Sequence, residues 1–181
     1  MTAFVELRRL KPEDAAVYRE IRLEALADSP NAFAGTLENE RDRPLDAFAQ
    51  RLTDAYVVGA FAGPRLAGVA GFSLQAGPKH GHKGVLWGMY VRPAYRGAGI
   101  GRVLVEAIIA HARQRVELLQ LSVVGDNAAA RRLYAGLGFV EYGLERHATK
   151  YRGQYHDDVL MALPLMVDSE QTNPADEAAT V

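Results

Sequence analysis

The chain has 181 residues, of which 49% are hydrophobic and 24% charged, the balance of an ordinary globular protein. It contains no cysteine, so a disulfide framework, a cysteine nucleophile and a thiolate metal site are excluded. The 21 basic and 22 acidic residues leave a net charge of -1, which argues against general binding of nucleic acids. A chain of this length fits one domain with its own core.

The acidic residues are concentrated at the end of the sequence. Residues 168–181 contain four acidic residues and no lysine or arginine. The remainder holds 18 acidic and 21 basic residues, a net charge of +3 that suits an anionic ligand. We therefore expect one domain over residues 1–165 and a disordered acidic tail over residues 166–181.

We expect no targeting signal in the N-terminal residues of this sequence. They read TAFVELRRLKPED and lack the apolar segment of a signal peptide. No apolar run in the chain approaches the roughly 18 residues that cross a bilayer. We expect a cytoplasmic protein that does not enter a membrane.

The first half of the sequence predicts a strand, two helices and a strand pair. Alternating residues at 4–10 predict the strand, and apolar residues at helical spacing predict a helix over 12–27. After a less regular stretch, a proline opens a short helix over 44–53. Strands are predicted at 55–62 and 65–75, joined by a Gly-Pro turn.

The second half follows a glycine-rich loop at 76–84. Its predicted elements are a strand at 85–91, a helix at 99–115, a strand at 118–124, a helix at 128–137 and strands at 139–146 and 155–163. This order predicts a mixed α/β fold with helices on both faces of one sheet, without a regular alternation of strand and helix.

The clearest chemical signal is a glycine-rich turn between the strand at 85–91 and the helix that follows it. The turn reads Arg96, Gly97, Ala98, Gly99, Ile100, Gly101. Glycine lets backbone N–H groups approach a ligand closely, and a helix N-terminus carries unpaired N–H groups and a partial positive charge. Together they form a phosphate cradle, and Arg96 and Arg102 flank it as possible phosphate contacts.

Other interpretations of this turn fit less well. A tight turn without a ligand does not need three glycines at alternate positions. A dinucleotide fingerprint has the spacing G-x-G-x-x-G, whereas the third glycine here comes one residue early and the motif lies mid-chain. A nucleotide P-loop requires a Lys-Ser or Lys-Thr pair, which is missing.

The turn resembles motif A of the GNAT N-acetyltransferases through Arg96, Gly99 and Gly101. A second segment, residues 127–139, resembles motif B of the same family. Its matching residues are Asn127, Ala130, Tyr134, Gly138 and Phe139. One helix and one strand separate the two motifs, as in the family. The resemblance covers about 4–165, and the end of this region is similar to ribosomal-protein and polyamine N-acetyltransferases.

The resemblance implies the GNAT acyl-CoA N-acyltransferase fold over 1–165, with a mostly antiparallel sheet that is splayed at the cofactor site. It implies acetyl-CoA as the co-substrate, with its pyrophosphate on the amides of the glycine turn. It also implies that the backbone of Met89, Tyr90 and Val91 binds the pantetheine arm. A homodimer is possible by resemblance alone.

The second motif supplies further candidate residues. Asn127 is expected to cap its helix and can also touch the pantetheine. Arg131, one turn later, is open to two interpretations, a phosphate contact or a solvated side chain. We expect no metal, because the His-x-His of residues 80–82 has no third ligand nearby.

Acetyl transfer to an amine needs a donor for the departing thiolate, and Tyr134 is the candidate general acid. A cysteine-like thiol has a pKa of about 8.5 and tyrosine about 10, so the phenol stays protonated near neutral pH. The alternative is a core aromatic residue on an amphipathic helix. The strand at 85–91 contains no carboxylate to act as the base. Glu24, Glu38 and Glu40 could act through water, or could be ordinary surface charges.

These features lead to one principal hypothesis and two alternatives. The hypothesis is an N-acetyltransferase that moves an acetyl group from acetyl-CoA to a primary amine on a small molecule or a protein N-terminus. The first alternative is a non-catalytic module that binds acyl-CoA as a sensor. The second is an interaction protein with a decayed site, which would not need an intact glycine turn.

Overall fold

A computed structural model describes residues 5–165 of the chain. Its five α-helices are α1 (Ala15–Asp28), α2 (Leu37–Glu40), α3 (Leu45–Asp54), α4 (Ile100–Arg113) and α5 (Ala128–Ala135). Its seven strands are β1 (Glu6–Arg9), β2 (Tyr56–Ala62), β3 (Arg65–Leu74), β4 (Lys83–Val91), β5 (Leu118–Val124), β6 (Val140–Tyr151) and β7 (Gln154–Pro164). The tail expected at 166–181 lies outside the described residues. Between residues 5 and 165, no helix is long and apolar enough to cross a membrane.

The seven strands form one sheet in the order β1-β2-β3-β4-β5-β7-β6. All neighbouring pairs are antiparallel except β4 and β5, which run parallel. One core lies under α4, where Leu104 and Ile108 are fully buried. A second core on the opposite face lies under α1 and α3, where Tyr18 and Phe48 meet edge to face. The prediction of a mixed sheet with helices on both faces is therefore confirmed.

The parallel pair of strands is joined at one end only. β4 pairs with β5 over Lys83–Val85 and Leu118–Gln120, and the pairing stops there. Beyond these residues a cavity separates Leu86–Met89 from Leu121–Val124. The sheet is thus splayed between β4 and β5, as the resemblance implied. A splay leaves backbone N–H and C=O groups of both strands free to bind a ligand.

A β-bulge bends β4 beside this gap. Val69 of β3 lies opposite Tyr90, and Gly71 lies opposite Trp87. Two residues of β4, Gly88 and Met89, therefore face the single residue between Val69 and Gly71. Gly88 has a φ of +64°, which glycine adopts without strain. The bulge bends β4 within the segment that no longer pairs with β5.

The structure differs from the predicted elements at three places. α2 was not predicted; the Thr36 hydroxyl caps it by accepting a hydrogen bond from the Asn39 amide at 3.3 Å. β6 continues past residue 146 to Tyr151, because a bulge after Glu145 restores its pairing with β7. α5 ends at Ala135, two residues early, and Gly138 then turns the chain with a φ of +94°.

Candidate active site

A cleft of about 560 Å³ lies where β4 ends and α4 begins. We call it the glycine cleft. The predicted cofactor residues that line it are Met89, Tyr90, Val91, Arg96, Gly97, Gly99, Ile100, Gly101, Arg102 and Asn127. Ala98 belongs to the same turn but does not line the cleft. The two sequence motifs, more than 25 residues apart, therefore meet around one opening.

The turn at the base of the cleft has the backbone of an anion cradle. Gly97 has a φ of +79° and Gly99 a φ of +80°, a region that glycine enters freely. A side chain added at either position would meet no atom within 4 Å, so the space over the turn is open. Gly99 is also the N-cap of α4 and carries no side chain to satisfy the first amides of that helix. The turn therefore offers free N–H groups and a helix dipole to an anion.

Two arginines flank the turn, and one is held more firmly than the other. Arg96 donates from Nε to the Val91 carbonyl at 2.9 Å, and its Nη2 lies 2.6 Å from Asp28 Oδ2. This pairing lowers the pKa of Asp28. Arg102 makes a looser pair with Glu106 at 3.4 Å, and both side chains are half exposed. Arg96 is thus fixed in place at the cleft, whereas Arg102 can turn towards a ligand at little cost.

Arg92 ties the start of the same turn to α1. The side chain is only 4% exposed and lies 2.6 Å from Glu20 Oε1 and 2.9 Å from Glu24 Oε2. Two carboxylates therefore balance one buried cation. Burial raises the pKa of Tyr90 to about 12, and the negative charges of Asp28 and Glu24 add to this shift. Glu24 thus has a structural partner and does not line the glycine cleft.

Tyr134 lies in the cavity between the splayed strands. This splay cavity holds about 80 Å³ and shares Met89, Asn127 and Ala130 with the glycine cleft. Tyr134 is 6% exposed and packs edge to face on Phe139 at 5.8 Å. Burial raises the pKa of its hydroxyl, so the phenol stays protonated at neutral and alkaline pH. The hydroxyl has no hydrogen-bond partner among the side chains that the structure describes.

Asn127 links the two openings. Its Oδ1 accepts a hydrogen bond from the Ala130 amide at 3.2 Å, which confirms the predicted helix cap. The same residue lines both the glycine cleft and the splay cavity. Contact between Asn127 and a pantetheine arm stays a prediction.

Comparison with known proteins bears on this geometry. Residues 19–139 match the family described as "Acetyltransferase (GNAT) family". The chain belongs to the GNAT acetyltransferase family. The match includes both sequence motifs and covers more than half of the chain.

Curated GNAT relatives are similar over part of their length. A mycothiol acetyltransferase of Thermobispora bispora is 31% identical over 148 residues, which cover 78% of this chain and 48% of that protein. A ribosomal protein bS18-alanine N-acetyltransferase of Escherichia coli is 38% identical over 81 residues, 44% of this chain and 55% of that protein. The chain therefore spans about half the length of these relatives.

Solved GNAT structures share the fold. A ribosomal-protein-alanine N-acetyltransferase from Brucella melitensis gives a TM-score of 0.79 at 24% identity, covering 88% of this chain and 99% of that one. A phosphinothricin acetyltransferase from Sinorhizobium meliloti, in complex with acetyl-CoA, gives 0.78 at 21% identity and covers 91% and 89%. These likenesses extend the GNAT fold to nearly the whole described chain.

Arg131 has hydrogen-bond partners outside the glycine cleft. Its Nε and Nη2 donate to Glu141 Oε1 at 2.9 and 2.7 Å, and its Nη1 donates to the Gly125 carbonyl at 2.9 Å. It lines a separate cavity of about 850 Å³ beside β6 and β7 and does not reach the glycine cleft. A carboxylate and a carbonyl accept hydrogen bonds from its donors, so the side chain is not simply solvated, and a phosphate contact by Arg131 stays a prediction.

Glu40 requires a correction. It is 4% exposed, and both carboxylate oxygens accept hydrogen bonds from Arg22 and Arg51 at 2.8 to 3.3 Å. Burial alone would raise the pKa of Glu40, but the two guanidinium groups outweigh it and lower the pKa. Glu40 is therefore neither a surface charge nor a free base. Glu38 is exposed and is in no ion pair within the described range.

The sequence did not single out several residues that line the site. Ser29, Ala32 and Phe33, from the segment after α1, cover the glycine cleft, and Trp87 lines the splay cavity. The sequence predicted only a less regular stretch after the first helix. Nothing local to it indicates that it lies over a strand end more than 50 residues away in the sequence. Within residues 5–165 no group of three metal-ligating side chains is present.

Proposed function

We propose that this chain is an acetyl-CoA-dependent N-acetyltransferase that moves the acetyl group directly to a primary amine, with Tyr134 as the general acid. One observation carries the proposal: the glycine cleft and the splay cavity share Met89, Asn127 and Ala130. A ligand anchored on the glycine turn would therefore extend along the end of β4 towards the cavity that Tyr134 lines.

The residues of the cleft fit acetyl-CoA. The open backbone over Gly97 and Gly99 leaves room for a pyrophosphate, and the dipole of α4 favours its charge. Arg96 and Arg102 would neutralise phosphate oxygens from the rim. Met89–Val91 would bind the amide-containing arm through backbone groups that β5 does not pair. This extended edge suits an arm that offers amide donors and acceptors in turn.

Tyr134 would supply the proton that the leaving sulfur needs. The amine nitrogen bonds to the acetyl carbon, and the carbon–sulfur bond breaks with its electron pair on sulfur. Tyr134 donates its proton to that sulfur, and the proton lost from the new amide nitrogen restores the phenol. Because burial raises the pKa of Tyr134, the phenol is protonated before each turnover.

The composition supports transfer without a covalent thioester on the enzyme. The chain has no cysteine, so no side chain can take up the acetyl group as a thioester. The amine would then have to reach the thioester itself, through the gap between β4 and β5. The splay cavity, lined by Trp87 and Ser122, would be its route.

A second candidate function is a non-catalytic acyl-CoA sensor. It is favoured by one observation, the absence of any carboxylate in β4 beside the splay. Such a module would bind acetyl-CoA without turnover. Tyr134, which lines the splay cavity, supports the enzyme over the sensor.

Two measurements test the proposal. Isothermal titration should detect acetyl-CoA binding, and thiol release should accompany acetylation of at least one amine in a panel of amino acids, polyamines and N-terminal peptides. No binding at about millimolar acetyl-CoA, equivalent to only about 4 kcal/mol, would contradict both candidate functions. Binding without thiol release for any amine would favour the sensor.

A further inference from the structure

A second opening lies on the α1 and α3 face of the sheet, apart from the glycine cleft. This arginine groove holds about 500 Å³, and no residue that lines it also lines the glycine cleft. Among the residues that line it are Arg22, Arg43, Arg51, Ser73 and Trp87. Its volume is in the range of sites that hold small molecules.

The groove carries an excess of positive charge. Glu40 holds Arg22 and Arg51 in fixed orientations but supplies one negative charge for two cations. Asp54, the acidic residue in the lining, accepts a hydrogen bond from Gln50 at 2.7 Å. The field at the groove therefore favours an anion.

Arg43 is the cation available to a ligand. Its Nε donates to the Asn39 carbonyl at 3.3 Å, and across residues 5–165 it pairs with no carboxylate. Both terminal nitrogens of its guanidinium are thus free of protein acceptors. A planar guanidinium with two free donors suits a carboxylate, which accepts two parallel hydrogen bonds.

Trp87 connects the groove to the site of transfer. It lines both the arginine groove and the splay cavity that holds Tyr134. Its indole N–H donates to the Ser73 hydroxyl at 2.8 Å, which fixes the ring. A molecule held in the groove would therefore lie on one side of Trp87, with the splay cavity and Tyr134 on the other.

We propose that the arginine groove binds the carboxylate of the acceptor, so that the acceptor is a small molecule with the amine and carboxylate of an amino acid. The inference rests on the proposed function for the reaction, but the groove itself can be tested without turnover. Arg43 recognises the carboxylate, Glu40 positions Arg22 and Arg51 around it, and Trp87 separates the anion from the amine.

The test uses Trp87, the single tryptophan of the chain, as a reporter of groove occupancy. Non-aromatic amino acids, each paired with its carboxamide, are titrated while tryptophan fluorescence is followed. Hydrogen bonds to charged groups make a large contribution when desolvated, so at least one amino acid should bind about 10- to 100-fold more tightly than its amide. Inorganic phosphate, a different oxyanion, should compete weakly.

Matched variants identify the arginine. Arg43→Gln should reduce the preference for the acid over the amide to about threefold or less, and Arg43→Lys should keep part of it because the charge remains. Arg65→Gln removes an exposed arginine at the start of β3 and should behave as the wild type. Equal binding of acid and amide by the wild type, or a preference that survives Arg43→Gln, would overturn the proposal.

Parallel assays separate this inference from the proposed function. If amines are acetylated without regard to a carboxylate, the groove assignment fails and the acetyltransferase stands. If acetyl-CoA does not bind while Trp87 still reports a preference for carboxylates that depends on Arg43, the proposed reaction fails and the anion site stands.

Discussion

Arg96 of the glycine turn and Asp28 at the end of α1 form an ion pair, with Nη2 2.6 Å from Oδ2. The pair joins the segment that covers the glycine cleft to the turn at its base. It also places a negative charge beside the proposed phosphate site. Both side chains are partly exposed, so the pair should add less than about 1 kcal/mol to stability.

We expect Asp28→Asn to tighten acetyl-CoA binding about two- to threefold at low salt, because it removes a negative charge near the phosphates. Arg96→Gln should weaken binding about tenfold, because it removes a charged donor. Isothermal titration of both variants checks this. If Asp28→Asn weakens binding as much as Arg96→Gln does, Asp28 serves to position Arg96 and does not compete with the phosphates for it.

Gly99→Ala should abolish tight acetyl-CoA binding. The residue has a φ of +80° and lines the cleft, so alanine adds both backbone strain and a methyl group over the amides. We expect about a 1–2 kcal/mol loss of stability and a large rise in the dissociation constant, measured by denaturation and calorimetry.

Gly153→Ala is the matched control. Gly153 has a φ of +82° and equally open surroundings, but lies in the turn between β6 and β7. It should lose similar stability without any loss of acetyl-CoA affinity. Equal affinities for the two variants would mean that the turn at Gly99 is only a turn.

Glu40→Gln should destabilise the fold by about 3 kcal/mol, because it leaves Arg22 and Arg51 without their shared counter-ion in a buried setting. The pKa of Glu40 is lowered in the folded state. The contribution of the ionised Glu40 to the free energy of unfolding is therefore complete above the unfolded pKa of about 4.3 and is lost as the pH falls below that value. Urea denaturation between pH 7 and pH 3 measures both effects.

Glu38→Gln serves as the neighbouring control, since Glu38 is exposed. It should change the free energy of unfolding by less than about 0.5 kcal/mol at any of these pH values. If Glu40→Gln unfolds like the wild type at every pH, the ion pairs of Glu40 with Arg22 and Arg51 contribute nothing to stability.

His111 should make the fold sensitive to mild acid. Its ring stacks on that of Tyr56, with the two ring centroids 3.6 Å apart. Burial lowers the pKa of His111 to about 4, and the positive charges of Arg115 and Arg9 add to this shift. Since the unfolded value is about 6.5, stability is complete above that pH and is lost as the pH falls towards 4. His111→Phe keeps a ring and should remove this dependence. An imidazole pKa near 6.5 by NMR would contradict the prediction.

The sequence predicted those features that local patterns encode. Apolar spacing located α1, α3, α4 and all the strands except the end of β6 within a few residues, and Asn127 identified the cap of α5. The glycine turn was predictable because Gly97 and Gly99 are required by a backbone with positive φ.

Long-range partners could not be predicted in the same way. Arg96 meets Asp28 across 68 residues, and nothing local to either one marks the pair. Glu40 lies in a polar stretch typical of a surface, and it is buried only because Arg22 and Arg51 reach it from two other helices. Arg131 is directed away from the cleft by Glu141 on β6. In each case tertiary contacts determined the role of a charged side chain.

Steady-state kinetics of Tyr134→Phe, with any amine that the wild type acetylates, test the central claim most directly. The substitution keeps the ring and its contact with Phe139, so folding and acetyl-CoA affinity should change little. Loss of general acid catalysis should lower kcat by about 10²- to 10⁴-fold. Because burial raises the pKa of Tyr134, the wild type should show no loss of rate from this group up to about pH 10. A variant whose kcat stays within a few-fold of the wild type would contradict the account.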